Sequence, residues 1–241
     1  MARQFSELVD FKSSPHHDDE QVVHGTTVLA LRYKDGIVIL ADRRATMGNL
    51  IMYEEAEKIE VLDDQTVVAI SGAYARSIEV CRYLKHAFKY YERLNQFQIS
   101  TEGKLMEISK ALAGNMEAAM NGGIFLPIAA VYDPKDEEFS VHFFDAAGAR
   151  FPGMDYATAG SGSERIRGVF EYLSRTKGPW NKRKRDDVLL DALVMLDIAS
   201  SLDSATGGFQ RRLPSVVLLT RDGVERLAEK ELEKIAKKAL S

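Results

Sequence analysis

Cysteine is almost missing from this chain: Cys81 is the one thiol in 241 residues. A disulfide framework within the chain is thereby excluded, and a reducing compartment, the cytoplasm, suits such usage. Cys81 falls inside an amphipathic stretch and reads as a core thiol rather than a nucleophile. Long apolar runs are missing too, since none approaches the ~20 residues that a membrane-spanning helix needs. The first residues, "MARQFSELVDFKSSPHHDDEQVVHG", carry Pro15 and five acids and lack an apolar centre, so they do not form a secretory signal. The adjacent His16 and His17 have no second cluster of ligands, and no metal is expected there. Charge of one sign is lacking as well. A net charge of −4 gives no electrostatic reason to expect nucleic acid or an anionic membrane as partner. The basic run "KRKRDD", Lys182 to Asp187, is balanced at once by acids and is expected to be a solvated loop and helix start.

What is present is a globular composition, 45% hydrophobic and 28% charged, in a chain long enough for a sizeable core. Residues 1–25 read as a removable leader, because few of them could enter a core. From Thr26 the pattern changes. "TTVLALRY" and "GIVILADRRA" are β-rich and joined by Lys34-Asp35-Gly36, a hairpin signal. Both runs are apolar on both alternating faces, which predicts a sheet covered on both sides. "EKIEVL" and "TVVAISG", around Asp63-Asp64-Gln65, predict a second hairpin.

After Gly72 the period becomes helical, with Ile78, Cys81, Leu84, Phe88, Tyr91 and Leu94 at three- and four-residue steps. A second helix is expected from Glu102 to Asn121. Strands follow in "FLPIAAVYD", "FSVHFFD" and "YATAGSG". Two more helices are expected near Glu164 to Arg175 and Asp187 to Leu202, the latter apolar almost all round at its centre and so packed between layers. "PSVVLLT" and "VERLA" give a last hairpin before a charged C-terminal helix. Strands and helices grouped in this way predict one α/β domain, residues 26–241, with antiparallel sheets between helix layers.

The chemistry turns on Gly25 and Thr26. A threonine hydroxyl is a poor nucleophile until a base takes its proton. Cleavage at Gly25–Thr26 would place an α-amino group, with a pKa of about 7.7–8.0, on the same residue as the hydroxyl. A nearby ammonium lowers that pKa further. Lys58 could supply it, and Asp42 could anchor Lys58: Asp42 ends an apolar strand and Lys58 opens the next. Singly, each is an ordinary charge. The argument stands on the set.

The stretch "GTTVLALRYKDGIVILADRRATMGNLI", then "EKI", "AISGAYA", "AGSGS" and "DSATGG", resembles a β-type proteasome subunit of the actinobacterial kind, within the N-terminal-nucleophile hydrolases. The resemblance runs from Gly25 to the end of the chain. It implies a four-layer αββα sandwich of two antiparallel sheets between helix layers. It implies that Thr26 is the nucleophile of a threonine endopeptidase, with Asp42 and Lys58 tuning its amine and no cofactor or metal. Gly72 matches the glycine whose N–H forms an oxyanion hole. Ser161 and Asp203 match support residues around the threonine. Thr206 stands where serine is commoner, retaining a hydroxyl and adding a methyl group. Arg44 matches a prop for the loop near Asp42, and the backbone of Thr46 matches a position that pairs with an extended peptide.

The same resemblance implies a heptameric ring of identical β subunits, rings of an α-type subunit, a ring-shaped ATPase activator and unfolded proteins as substrates. It implies a leader removed autocatalytically at Gly25–Thr26, the glycine easing the tight turn. Ala45, Ala56, Ile70 and Tyr74, by position, line the pocket for the side chain before the cut bond, which predicts a preference for apolar residues. Glu60, should it face the pocket, would admit basic ones. A ring subunit that keeps the fold without activity, or another amidase of the same superfamily, is the alternative.

Overall fold

The two opening strands owe their uninterrupted apolar character to cover on both faces. In the computed structural model, which describes residues 25–48, 50–209 and 211–239, β1 (Val28–Tyr33) and β2 (Gly36–Ala41) pair antiparallel, with Val28 opposite Ala41 and Tyr33 opposite Gly36. Val28, Ala30, Ile37 and Ile39 face a second sheet, while Leu29, Leu31, Val38 and Leu40 face helices. The leader expected over residues 1–25 lies outside the described residues except for Gly25.

The first sheet has the order β10-β1-β2-β11-β12, where β10 is Tyr156–Ala159, β11 Ser215–Thr220 and β12 Gly223–Arg226. The second has the order β5-β6-β7-β8-β9, from β5 (Ile59–Asp63), β6 (Thr66–Ala69), β7 (Ile128–Asp133), β8 (Glu138–Phe144) and β9 (Arg150–Met154). Every pairing is antiparallel. Val67, Ala69, Ile128, Ala130 and Val141 meet the first sheet to form the central core. On the outer face of the second sheet, Val68, Ile70, Ala129 and Val131 receive α1 (Tyr74–Asn95) and α2 (Thr101–Ala113). On the outer face of the first lie α4 (Ser163–Lys177), α5 (Arg185–Leu202) and α6 (Glu229–Ala239). The result is the expected sandwich, helices over sheet over sheet over helices. The nearly all-apolar α5 lies on β1 and β2 with α4 and α6 against its flanks, so almost no face of it meets water.

Four local expectations are corrected. The helix expected over 102–121 breaks: α2 ends before Gly114, and Met116–Met120 forms a separate turn, α3. Gly114 is a weak helix former, and the buried Asn115 gives its side-chain amide to tertiary partners, accepting from Arg76 and donating to the Gly123 carbonyl. A short hairpin of β3 (Ala45–Met47) and β4 (Leu50–Tyr53) was not anticipated, because all four β4 residues are exposed and no buried face imposes a period. β9 was missed behind Pro152. Arg183, inside the expected solvated run, is buried against Trp180 and Asp191. In α1, Leu84 and Phe88 are buried as expected, whereas Leu94 at the far end is exposed.

Candidate active site

The site forms where β1 begins and β2 ends. Register places Asp42, the residue after β2, across from Thr27: Asp42 N–H donates to the Thr27 carbonyl, and Thr27 N–H donates to Asp42 Oδ1 at 2.7 Å. The other carboxylate oxygen accepts from the N–H groups of Arg44 and Gly207, each at 2.9 Å. Lys58, just before β5 on the second sheet, reaches between the sheets to Asp42 Oδ1 at 2.8 Å. Its remaining contacts are the Arg44 carbonyl and, at 3.3 Å, the Gly25 carbonyl. An ammonium has three protons, and all three have acceptors. Both side chains are almost fully buried, 2% and 0% exposed. Burial lowers the pKa of Lys58 from its ordinary value, and the facing Asp42 carboxylate works against that shift.

Gly25 and Thr26 sit on this pair. The Thr26 hydroxyl donates to the Gly25 carbonyl at 2.6 Å, and Gly25 N–H donates to Thr46 Oγ1 at 2.9 Å. A Cβ on residue 25 would lie 2.1 Å from the Cβ of Ala205, so only glycine fits. Thr46, expected to act through its backbone, holds the residue before the threonine with its side chain.

A second carboxylate stands on the other side. Asp203, at the end of α5, accepts at Oδ2 from Ser161 Oγ at 2.6 Å and from Thr206 Oγ1 at 2.5 Å. Thr206 Oγ1 in turn lies 2.7 Å from Thr27 Oγ1. Arg44 joins the loops, donating to the carbonyls of Ser204 and Thr206 and pairing with Glu54 at 3.1 Å. Hydrogen bonds to Arg211 and Arg44 hold the Glu54 carboxyl below its ordinary pKa.

The structure therefore brings Gly25, Thr26, Asp42, Arg44, Thr46, Lys58, Ser161, Asp203 and Thr206 into one bonded network. Gly72 is not bonded to it; with φ at +100° and Ile124 O 2.1 Å from where a Cβ would sit, the position requires glycine. Gly72 and Ser161 line one groove of about 690 Å³ with Leu126, Phe143, Phe151 and Tyr156. Of the expected pocket residues, Ala45 lies on β3, Ala56 and Ile70 are buried at 2% exposure each, and Tyr74 opens α1 at 39%. Ile70 also packs in the core under α1 and α2. Sequence reasoning passed over Thr27 and Gly207. The doubled threonine and the doubled glycine of "DSATGG" were the available signals. Among the described residues no cluster of three or more His, Cys, Asp or Glu could hold a metal, and no helix is long and apolar enough to cross a membrane.

An αββα sandwich with a threonine, an aspartate and a lysine buried where its first strand begins and its second ends defines a class, and comparison with known proteins narrows it. The family model described as proteasome subunit matches residues 22–180, and the chain belongs to that family. It is 35% identical over 224 residues to proteasome subunit beta 1 of Streptomyces avermitilis, covering 90% of this chain and 77% of that protein. It is 33% identical over 221 residues to the proteasome subunit beta of Mycolicibacterium gilvum, covering 88% and 71%. Proteasome subunit beta 2 of Thermomonospora curvata is 30% identical over 222 residues, covering 91% and 78%. Its similarity within the family is thus to actinobacterial β subunits.

Proposed function

We propose that this chain is a catalytic β subunit, a threonine endopeptidase that activates itself at Gly25–Thr26 and degrades unfolded proteins. The observation that carries the reading is the third proton of Lys58. It points at the carbonyl of the very bond that precedes Thr26, and the Thr26 hydroxyl lies against the same oxygen.

Activation begins when Thr26 Oγ adds to the Gly25 carbonyl carbon through a five-membered ring. Charge develops on the Gly25 oxygen, where the Lys58 ammonium already donates. The C–N bond breaks as the hydroxyl proton passes to the nitrogen, leaving an ester on Oγ and an amine on Thr26. Water hydrolyses the ester and releases residues 1–25. The freed amine is then the base: it takes the hydroxyl proton as Oγ attacks a substrate carbonyl and passes it to the departing peptide amine. Lys58 keeps that amine unprotonated near neutral pH by like-charge repulsion, Asp42 holds Lys58, and the Gly72 N–H receives the oxyanion. Ser161, Asp203 and Thr206 support the threonine, and Arg44 holds their loop to that of Asp42. An extended peptide adds beside Thr46, with its side chain before the cut bond directed to Ala45, Ala56, Ile70 and Tyr74. The partners in this reading are identical β subunits in a seven-membered ring, α-type rings and a ring ATPase, in the cytoplasm. A closed chamber explains how an unspecific protease is tolerated there.

Intact mass of the subunit co-expressed with an α-type partner tests the reading. The expected mature chain begins at Thr26, and Thr26→Ala retains the leader and loses peptidase turnover by about 10⁴-fold or more while still forming rings. Active particles that keep residues 1–25 would overturn the mechanism; an inactive ring subunit would assemble uncut.

A further inference from the structure

The proposed reaction uses the first threonine of the Gly25-Thr26-Thr27 run and leaves the second without a task. Thr27 is fully buried, and its polar groups reach toward both carboxylates of the site. Its N–H donates to Asp42 Oδ1 at 2.7 Å. Its hydroxyl lies 2.7 Å from that of Thr206, which donates to Asp203 Oδ2 at 2.5 Å. The direction of the middle bond follows from proton counting. The Thr206 hydroxyl gives its single proton to Asp203 Oδ2, so the Thr27 hydroxyl must be the donor to Thr206. Gly162 closes the space around the two oxygens: a Cβ there would come within 2.2 Å of Thr27 Oγ1 and 2.7 Å of Thr206 Oγ1.

The position of Thr26 needs such a support. Strand β1 starts only at Val28, so Thr26 precedes the ladder. Once Gly25 is cut away, Thr26 also loses the bonds that run through Gly25 to Thr46 and Lys58. A chain terminus without ties is free to fray. Besides packing against Gly160, what holds it is the residue after it, bridged between Asp42 and the Thr206–Asp203 pair.

We propose that Thr27 is a positioning residue: its hydroxyl, through Thr206 and Asp203, sets where Thr26 stands relative to Lys58. This rests on Thr26 being the nucleophile. Serine would keep the donor. Valine has the same shape without it, so a threonine that merely fills space would be replaced by valine without loss.

The test uses the full chain co-expressed with an α-type partner, with peptide turnover for kcat and KM and intact mass for leader removal. Thr27→Val is expected to lower kcat about 10- to 100-fold, with KM changed by less than about threefold, because a misplaced nucleophile loses rate rather than binding. Thr27→Ser is expected to stay within about threefold of the parent, and Thr27→Val combined with Thr206→Val to be no worse than the poorer single change, since Thr206→Val already removes the Thr27–Thr206 bond along with its own to Asp203. A fully active Thr27→Val, or a Thr27→Ser as impaired as the valine, overturns the proposal. Should Thr27→Val fail to form rings, Thr206→Val against Thr206→Ser reads that bond together with the one to Asp203, and an active Thr206→Val overturns the proposal equally. Thr26→Ala in the same assay separates the two readings. If Thr26→Ala is active, the nucleophile assignment falls; if it is inactive while Thr27→Val is fully active, only the role of Thr27 falls.

Discussion

Among the described residues, two acid–base clusters have both partners buried, and burial does not tell them apart. Lys58 and Asp42 are 2% and 0% exposed; Arg183 and Asp191 are 8% and 6%. The second cluster lies in a helix layer. Arg183 sits 4.5 Å above the Trp180 ring, and Lys177 at the end of α4 reaches Asp191 on α5 at 2.7 Å, tying the two helices. Its bonded donors end on the Asp191 carboxylate and the carbonyl of Asp187 within the same helix, and Arg183 Nη1 is buried without a partner among the described residues. In the first cluster the ammonium also faces a carbonyl whose own neighbour carries a hydroxyl. A buried ion pair is thus no mark of chemistry; what its spare donors touch is.

The contrast breaks most sharply at Lys58. Lys58→Ala is expected to lower peptide turnover by about 10³-fold or more and to block leader removal, since cooperating groups fail together. It also leaves Asp42 buried and unpaired, so a denaturant titration should show a stability loss of roughly 3 kcal/mol. Near-parental rates in Lys58→Ala would sink its proposed role. Arg183→Leu should show the opposite balance: a loss of about 1–3 kcal/mol, smaller because Lys177 still pairs with Asp191, with turnover per folded ring within about twofold of the parent. If activity fell with it beyond the unfolded fraction, the two clusters would not be separable as chemical and structural.

Another buried base sharpens the point, because it has no acid bonded to it. His142 on β8 meets the Ser140 hydroxyl at 2.9 Å through Nε2, and its Nδ1 has no partner among the described residues. Burial first, and then Arg150, lower its pKa to about 4, against an opposing pull from Glu102. The unfolded chain therefore binds this proton below about pH 6.5 and the folded chain does not until about pH 4. Stability is expected to fall as pH drops through that window, by up to about 3 kcal/mol, and to be unaffected by this group above it. Denaturation curves between pH 7 and 4 should lose that slope in His142→Gln.

The smallest expected effect concerns the substrate side chain. Peptides ending in Leu or Tyr should be cleaved about tenfold or more faster than those ending in Arg or Glu, because an unpartnered charge in an apolar pocket costs several kcal/mol of desolvation. Comparable turnover of Arg and Leu peptides would overturn the apolar pocket and leave the Lys58 comparison untouched.

Much of the first cluster was legible in the chain. Asp42 and Lys58 stand at the ends of apolar strands, where a charge cannot be left unanswered, and the glycine-threonine step marks the bond proposed to be cut. The second cluster was not legible: Arg183 lies among charged neighbours in "KRKRDD", and nothing local distinguishes the one that folds inward. The same holds for the broken helix at Gly114, where Asn115 prefers partners distant in sequence, and for the β3–β4 hairpin, where the exposed side chains of β4 leave no period to read.

By itself the sequence determined the layers. Strands apolar on both faces require cover on both, and helices of mixed and all-round apolarity supply it, so the sandwich follows from burying apolar surface. Which residues meet at its edge was decided only by tertiary structure. Lys58 comes from one sheet and Asp42 from the other, and Asp203 and Thr206 arrive from the end of α5 more than a hundred residues away. Thr27 became visible as the bridge between them only once the register of β1 on β2 placed its N–H against Asp42. Hydrogen bonds act over about 3 Å and depend on direction, and no spacing along the chain carries that information until the sheets have packed.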